Sequence, residues 1–197
     1  MRETSDIPIF PLSNTLFPGG RLALRVFEPR YVEMTRHCLR EDSVFGVSLI
    51  QAGFEVGTPA VPCLVGCSAR IVDAQETAPN RYTLTCVGER RFRILERWNS
   101  DSGLIRAQLQ WLPKLRSQAL APRYAGLAAI LQRVARELGA QAFTSSVQSD
   151  DAAWVAQRMA ELLPVTPEQR QRWLEMDEVG AILDQQLDVL GGLHETF

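Results

Sequence analysis

The segment Ile7-Pro-Ile-Phe-Pro-Leu-Ser-Asn-Thr-Leu-Phe-Pro-Gly-Gly20 decides how the first part of this chain folds. Its apolar start predicts a strand over Ile7–Leu12, and the Ser, Asn, Pro and Gly residues that follow predict a loop. The next run, Leu22–Phe27, predicts a second strand. Pro29 then favours the first turn of a helix, where its missing N–H group does no harm. This order of elements indicates a β-rich domain with one inserted helix.

Residues that alternate between apolar and polar continue up to about Pro113. The pattern is clearest in Leu104–Trp111, which predicts a strand with one buried face. Further strands are predicted at Val44–Ile50, Cys63–Asp73 and Arg81–Val87. We expect a tight turn at Gly88 to join the last of these in a hairpin to a strand that contains Phe92 and Ile94. About seven strands are enough to bend into a barrel or to split into two packed sheets.

The apolar period lengthens to that of a helix after Pro113. We therefore expect a β-rich domain at 1–113, a hinge at 114–122 and a helical bundle at 123–197. Gly139 stands where a C-cap glycine would end the first helix of the bundle. Thr166 reads as an N-cap residue, and Gly191-Gly192 should stop the last helix.

Composition indicates an ordinary globular protein that needs no cofactor to fold. The 197 residues are 46% apolar and 22% charged, and the formal net charge is −2. This balance gives no general attraction to nucleic acid or to anionic lipid, so nucleic acid is not the expected partner. The start Met1-Arg-Glu-Thr-Ser-Asp6 is polar, and no run approaches the ~20 apolar residues of a membrane span. We therefore predict a cytoplasmic location, where the four cysteines stay thiols.

Residues that could perform catalysis are few in this chain. The single lysine, Lys114, lies in the predicted hinge and is a poor candidate for a desolvated base. His37 and Cys38 are adjacent on the predicted helix, where neighbouring side chains point about 100° apart, so the two do not form a catalytic pair. His194 lies near the end of the chain. Cys63 and Cys67 are too far apart on a strand for one zinc ion. No phosphate-binding glycine loop occurs either, so we expect neither an enzyme nor a metal or cofactor site.

Several arginines lie close together in the sequence between positions 81 and 97. The set comprises Arg81, Arg90, Arg91, Arg93 and Arg97. Glu89 and Glu96 lie among them, which favours a solvated strand face with ion pairs. A phosphate-binding patch is the alternative.

The chain resembles the N-terminal, substrate-binding domain of Lon proteases over nearly its whole length. The matching segments are Pro8–Leu12, Leu16–Pro18, Phe27–Tyr31, Phe45–Val47, Gly88–Ile94, Met159–Pro164 and Trp173–Glu175. The resemblance implies an α+β fold, with an N-terminal PUA-like pseudo-β-barrel of six or seven strands, one inserted helix and a C-terminal helical bundle. It also implies a non-catalytic domain that helps to recognise unfolded polypeptide. Because this chain has no room for the ATPase and peptidase domains of Lon, we expect a stand-alone member.

Three hypotheses for function stay open at this stage. The first is a module that contacts exposed apolar polypeptide segments through Leu16 and Phe17, with Phe54 nearby, although these side chains could equally pack under the barrel rim. The second is RNA binding by the PUA-like barrel, for which the candidate phosphate contacts are Arg81, Arg90, Arg91 and Arg93. The third is a small-molecule enzyme that uses acids such as Glu28 and Asp73.

Overall fold

The computed structural model describes residues 4–55, 57, 60–139 and 142–194. Within these ranges the chain forms seven strands and five α-helices, which confirms the α+β class. It divides into two compact units, Met1–Pro113 and Lys114–Phe197. No helix within the described ranges is long and apolar enough to cross a membrane.

The first unit contains all seven strands and one helix. In chain order these are β1 Thr4–Leu12, β2 Arg21–Val26, α1 Pro29–Arg40, β3 Phe45–Ala52, β4 Val61–Pro62, β5 Val65–Ala78, β6 Arg81–Asn99 and β7 Ile105–Trp111. The strands predicted around Ile7–Leu12, Leu22–Phe27 and Leu104–Trp111 are confirmed, as is the helix that begins at Pro29.

Five strands pair in a closed ring. Antiparallel pairs join β1 to β7, β7 to β6, β6 to β5 and β5 to β3, and a parallel pair between β3 and β1 closes the ring. The two remaining strands lie outside it, because β2 pairs with β6 and the short β4 pairs with β3. Whether this ring is PUA-like stays a prediction.

The hairpin that we predict at Gly88 is wrong. Residues 81–99 form one continuous strand of 19 residues, whose first part pairs with β2 and whose last part pairs with β7. Gly88 serves a different purpose from a turn glycine. A Cβ atom at this position would overlap the carbonyl group of Phe17, and the Gly88 N–H donates to the carbonyl oxygen of Gly20 at 2.9 Å. The glycine therefore lets the 13–20 loop lie directly on the strand.

The β-rich unit has two apolar clusters. In the larger, α1 packs on the sheet, and the rings of Phe10 and Tyr31 stack with centroids 3.9 Å apart. The smaller cluster surrounds the fully buried Phe92. A Cβ atom on Gly46 would lie 2.8 Å from Cζ of Phe92, and one on Gly66 would lie 2.5 Å from it. Ile9 Cδ1 at Gly46 and the Val47 carbonyl oxygen at Gly66 would lie closer still, so both positions are too crowded for a side chain.

The second unit is helical in its described part. It contains α2 Ala125–Leu138, α3 Ala152–Leu162, α4 Pro167–Glu175 and α5 Val179–His194, and α3 contacts each of the other three. The predicted caps are confirmed, since Gly139 has φ +63° and the Thr166 hydroxyl accepts from the N–H of Gln169 at 3.2 Å. The predicted end at Gly191-Gly192 is wrong. Two glycines weaken a helix but do not have to end it, and α5 continues through them to His194.

Part of the predicted hinge is bonded to the helical unit. The N–H of Leu120 donates to the carbonyl oxygen of Asp150 at 2.8 Å, and the N–H of Ala152 donates to that of Gln118 at 2.9 Å. The Ser117 hydroxyl adds a bond to the Asp151 carboxylate at 2.9 Å. Residues 117–120 are therefore fixed to the start of α3, and the hinge over 114–122 stays a prediction.

Candidate functional site

The 13–20 loop does not present its apolar side chains to solvent. Leu16 is 5% exposed and Phe17 is 3% exposed. The loop is held on β6 by the N–H of Gly19, which donates to the Gly88 carbonyl oxygen at 2.7 Å. The interpretation of Leu16 and Phe17 as an exposed contact surface is therefore corrected. Packing under the rim, the alternative that we kept open, is what the structure shows for these two side chains.

Phe54 behaves differently, because 83% of its side chain is exposed. It lies in the connection between β3 and β4, directly after Gly53, whose φ of +95° favours glycine. The carboxylate of the next residue, Glu55, accepts from the N–H of Ser13 at 2.5 Å. This connection therefore contacts the 13–20 loop through Glu55.

Two of the four candidate arginines are engaged with the protein itself. Arg91 is only 4% exposed, and its guanidinium donates to the carbonyl oxygen of Pro113 at 3.0 Å. Its proposed role as a phosphate contact is wrong for that reason. Arg90 is half-buried, with its guanidinium carbon 4.7 Å from the centre of the Trp111 ring.

The other two arginines are exposed but far apart. Arg81 begins β6, and Arg93 lies twelve residues further along the same strand. At the rise of an extended chain this separation is about 40 Å. The four arginines therefore do not form one basic stripe.

A groove of about 350 Å³ runs along β2. Five successive residues of this strand, Leu22–Val26, line it, so the groove faces the edge of β2 and not one face alone. The stacked rings of Phe10 and Tyr31 and the side chain of Leu12 supply an apolar floor. We call this cavity the β2 groove.

The two carboxylates that line the β2 groove, Glu28 and Glu55, already have partners, whereas the guanidinium of Arg25 makes no ion pair within the described residues. Glu28 accepts from the guanidinium of Arg30 at 2.9 Å, and only 7% of the Arg30 side chain is exposed. Burial raises the pKa of the Tyr31 hydroxyl above its ordinary value, although the nearby Arg30 acts in the opposite direction. Tyr31 therefore stays neutral and contributes apolar surface. Asp73, the other acid that we considered for catalysis, lies exposed on β5 and lines neither the β2 groove nor the larger cavity described next.

Phe27 borders both the β2 groove and a second cavity of about 770 Å³ beside α1. Half of its side chain is exposed. We did not identify it as a contact residue from the sequence, although a signal exists. The inward-facing residues of β2 are Leu22, Leu24 and Val26, so strand alternation places Phe27 on the outer side with Ala23 and Arg25.

The second cavity has charges of both signs, and its arginines are engaged. Arg36 donates to the Tyr82 hydroxyl at 3.1 Å, and Arg106 pairs with Asp6 at 2.9 Å. Glu33 and Asp101 also line the cavity. These features do not favour a single anionic ligand.

The residues considered for catalysis do not come together. His37 is exposed on α1, whereas its neighbour Cys38 is buried, and burial raises the pKa of the Cys38 thiol. Lys114 is exposed, and the His194 side chain lies outside the described residues. No group of three or more His, Cys, Asp or Glu side chains within the described ranges could hold a metal ion.

Known proteins resemble this chain over most of its length. The model of the ATP-dependent protease La (LON) substrate-binding domain matches residues 6–190. A solved structure of a Lon N-terminal domain protein from Xanthomonas campestris is 35% identical, with a TM-score of 0.77 over 93% of this chain and 98% of that one. The N-terminal domain of the Mycobacterium avium complex Lon protease is 15% identical, covers 94% of this chain and 97% of its own, and has a TM-score of 0.64, which shows a shared fold.

Curated relatives are longer than this chain. A Lon protease from Anaeromyxobacter dehalogenans is 29% identical over 199 residues, an alignment that covers 96% of this chain and 23% of the relative. The chain spans less than a quarter of the length of the curated Lon proteases it matches.

Proposed function

This chain belongs to the Lon substrate-binding domain family, and from that premise we propose that it binds polypeptide without chemically changing it. The proposed contact surface is the β2 groove together with the exposed rings of Phe27 and Phe54. The proposed ligand is an unfolded or exposed apolar segment of a polypeptide. A PUA-like ring of strands and a cytoplasmic location are kept as parts of this proposal.

The observation that carries the proposal is the exposure of Phe27 at the border of an apolar groove. A large aromatic side chain that is half exposed next to a concave apolar floor is typical of a binding surface, because it can bury further area on association. The volume of the β2 groove, about 350 Å³, suits a few side chains of a peptide.

Leu16 and Phe17 have a supporting role in this proposal. Their burial against β6 holds the loop that leads into β2. They thereby fix the start of the strand that lines the groove. Their loss should act first on stability and only through it on binding.

Titration of a labelled, permanently unfolded polypeptide by fluorescence anisotropy tests the proposal. Phe27→Ser and Phe54→Ser should each weaken binding, by about tenfold where the ring is buried by the ligand. Val72→Ser is the matched control, because Val72 is 57% exposed but lies on β5, with β6 between it and β2. Saturable binding that both phenylalanine variants leave unchanged would contradict this surface.

A structured RNA, titrated at low and moderate salt, tests the RNA hypothesis in the same assay. Binding through arginine contacts to phosphate should fall steeply as salt rises, whereas apolar polypeptide binding should not. RNA binding that Arg81→Gln and Arg93→Gln abolish, with no polypeptide binding, would replace our proposal.

A further inference from the structure

We infer that the β2 groove takes its polypeptide as an added β-strand, bonded to the outer edge of β2. This inference rests on the proposed function and specifies the binding mode. The ligand class is an extended segment in which apolar residues alternate with acidic ones. In this mode, hydrogen bonds from the main chain supply affinity and alternate side chains supply selectivity.

The first observation is the free edge of β2. Among the described residues β2 pairs with β6 alone, whereas each strand of the ring has at least two neighbours. The groove is lined by Leu22–Val26 without interruption, so it contains both the inward-facing and the outward-facing residues of the strand. Such lining exposes a row of backbone groups to a ligand.

The second observation fixes which backbone groups face the groove. Gly88 donates to the carbonyl oxygen of Gly20 just before β2, so the backbone of Gly20 faces β6. In an antiparallel pair the direction of these groups alternates from one residue to the next. The backbone groups of Arg21, Ala23 and Arg25 therefore face away from β6. No other described backbone group pairs with them.

The third observation gives the chemistry of the ligand. Ligand residues opposite Leu22 and Leu24 would share their side of the strand, next to the apolar floor formed by Phe10 and Tyr31. Ligand residues opposite Arg21 and Arg25 would meet exposed guanidinium groups that make no ion pair within the described residues. Opposite charges directly across a strand pair are stabilising, which favours acidic residues there.

A second copy of this chain fits the edge poorly. An antiparallel pair of two β2 strands centred on Ala23 would place Arg21 of each copy opposite Arg25 of the other. Like charges directly opposite each other are destabilising. This arrangement therefore disfavours self-pairing and leaves the edge to a ligand of opposite charge.

Ala23→Pro tests strand addition because it removes one outward-facing N–H group. Proline is tolerated on an edge strand when its missing N–H faces outward, so the fold should persist, as circular dichroism can verify. The probe is a fluorescein-labelled peptide of about seven residues that alternates Val or Thr with Glu. We expect Ala23→Pro to weaken its binding by about tenfold, whereas Val72→Ser, at an exposed position on β5 that does not line the groove, should leave it unchanged.

N-methylation of the peptide provides a test that does not depend on a protein variant. Methyl groups at successive peptide nitrogens should weaken binding at every second position, because only alternate N–H groups face β2. Uniform effects along the peptide would overturn strand addition. If Phe27→Ser weakens binding while Ala23→Pro and the methyl groups do not, the proposed function stands and strand addition fails. If the unfolded polypeptide itself does not bind, the proposed function fails first.

Discussion

Two neighbouring segments of the β-rich unit expose their aromatic residues in opposite ways. The 13–20 loop, rich in turn-forming residues, buries Phe17, whereas Phe27, directly after the strand that follows, is half exposed. The difference arises from what lies beneath each segment. The loop folds onto Gly88, which has no side chain to keep it away, while Phe27 extends from the outer side of an edge strand. A loop position alone therefore does not indicate a binding surface, and strand alternation is the better guide.

Truncation of Phe17 should cause the largest loss in the free energy of unfolding. It tests whether the loop is part of the core. Phe17→Ala should reduce the free energy of unfolding by about 3–5 kcal/mol, because it leaves a cavity under the loop. Urea-induced unfolding followed by tryptophan fluorescence measures the change. Phe54→Ala, at an 83% exposed side chain, is the control and should shift stability by no more than about 0.5 kcal/mol. Equal effects of the two would show that Phe17 contributes no more to the core than an exposed side chain does.

Alanine at position 88 should cause the next largest loss in the free energy of unfolding. Gly88→Ala places a Cβ atom against the backbone of Phe17 and should cost about 1–3 kcal/mol in the same unfolding experiment. Gly126→Ala is a matched control, since no atom outside its own stretch of helix lies within 4 Å of a Cβ there. Alanine at that position should stabilise by about 0.5–1 kcal/mol. A neutral Gly88→Ala would mean that the loop does not need this close approach.

Glu161 offers a way to distinguish unfolding of the helical unit from that of the β-rich unit. Burial raises the pKa of its carboxyl to about 7, although Arg158, 3.2 Å away, and Arg170 act in the opposite direction. Between about pH 4.5 and pH 7 the native carboxyl therefore holds a proton that the unfolded one has lost, so stability falls as pH rises through this window.

Across this pH window Glu161 should lower the free energy of unfolding by about 1–2 kcal/mol. The value is modest because 27% of the side chain is exposed to screening solvent. Unfolding curves at about pH 5 and about pH 8 measure it, with Glu161→Gln as the variant that should remove this contribution to the pH dependence. The cost of Phe17→Ala should be the same at both pH values. A pH-dependent cost for Phe17→Ala would show that the two effects are not independent.

Phe27→Ala should reduce the free energy of unfolding only slightly, in contrast to Phe17→Ala. Because half of its ring is already in solvent, its loss should cost about 1 kcal/mol or less. The same variant should weaken polypeptide binding if the β2 groove is the contact surface. A large loss of stability would instead identify Phe27 as a core residue and remove it from the proposed surface.

Sequence periodicity predicted the elements whose neighbours do not change along their length. The strand around Ile105, Ala107 and Leu109 and the helix capped by Thr166 are confirmed because each has one consistent buried face. The α+β class follows from the same patterns.

Periodicity could not predict features that depend on contacts between distant segments. Gly88 reads as a turn in the sequence, since nothing in its neighbours reveals that the loop containing Phe17 will lie on it. Arg91 is buried by its bond to Pro113, more than twenty residues away. The groove arises in the same way, because Leu12, Leu22 and Tyr31 come together only through the fold.

The ring of strands also constrains how this unit can form during synthesis. Of the described strands β1 is made first, and it needs β3 on one edge and β7 on the other. The bond between Asp6 and Arg106 joins residues 100 positions apart, so the second edge of β1 waits until almost the whole unit has left the ribosome. An unpaired edge that persists for this long can pair wrongly with other chains. Nascent chains that stop before β7 should therefore be the form of this protein that is most prone to aggregate.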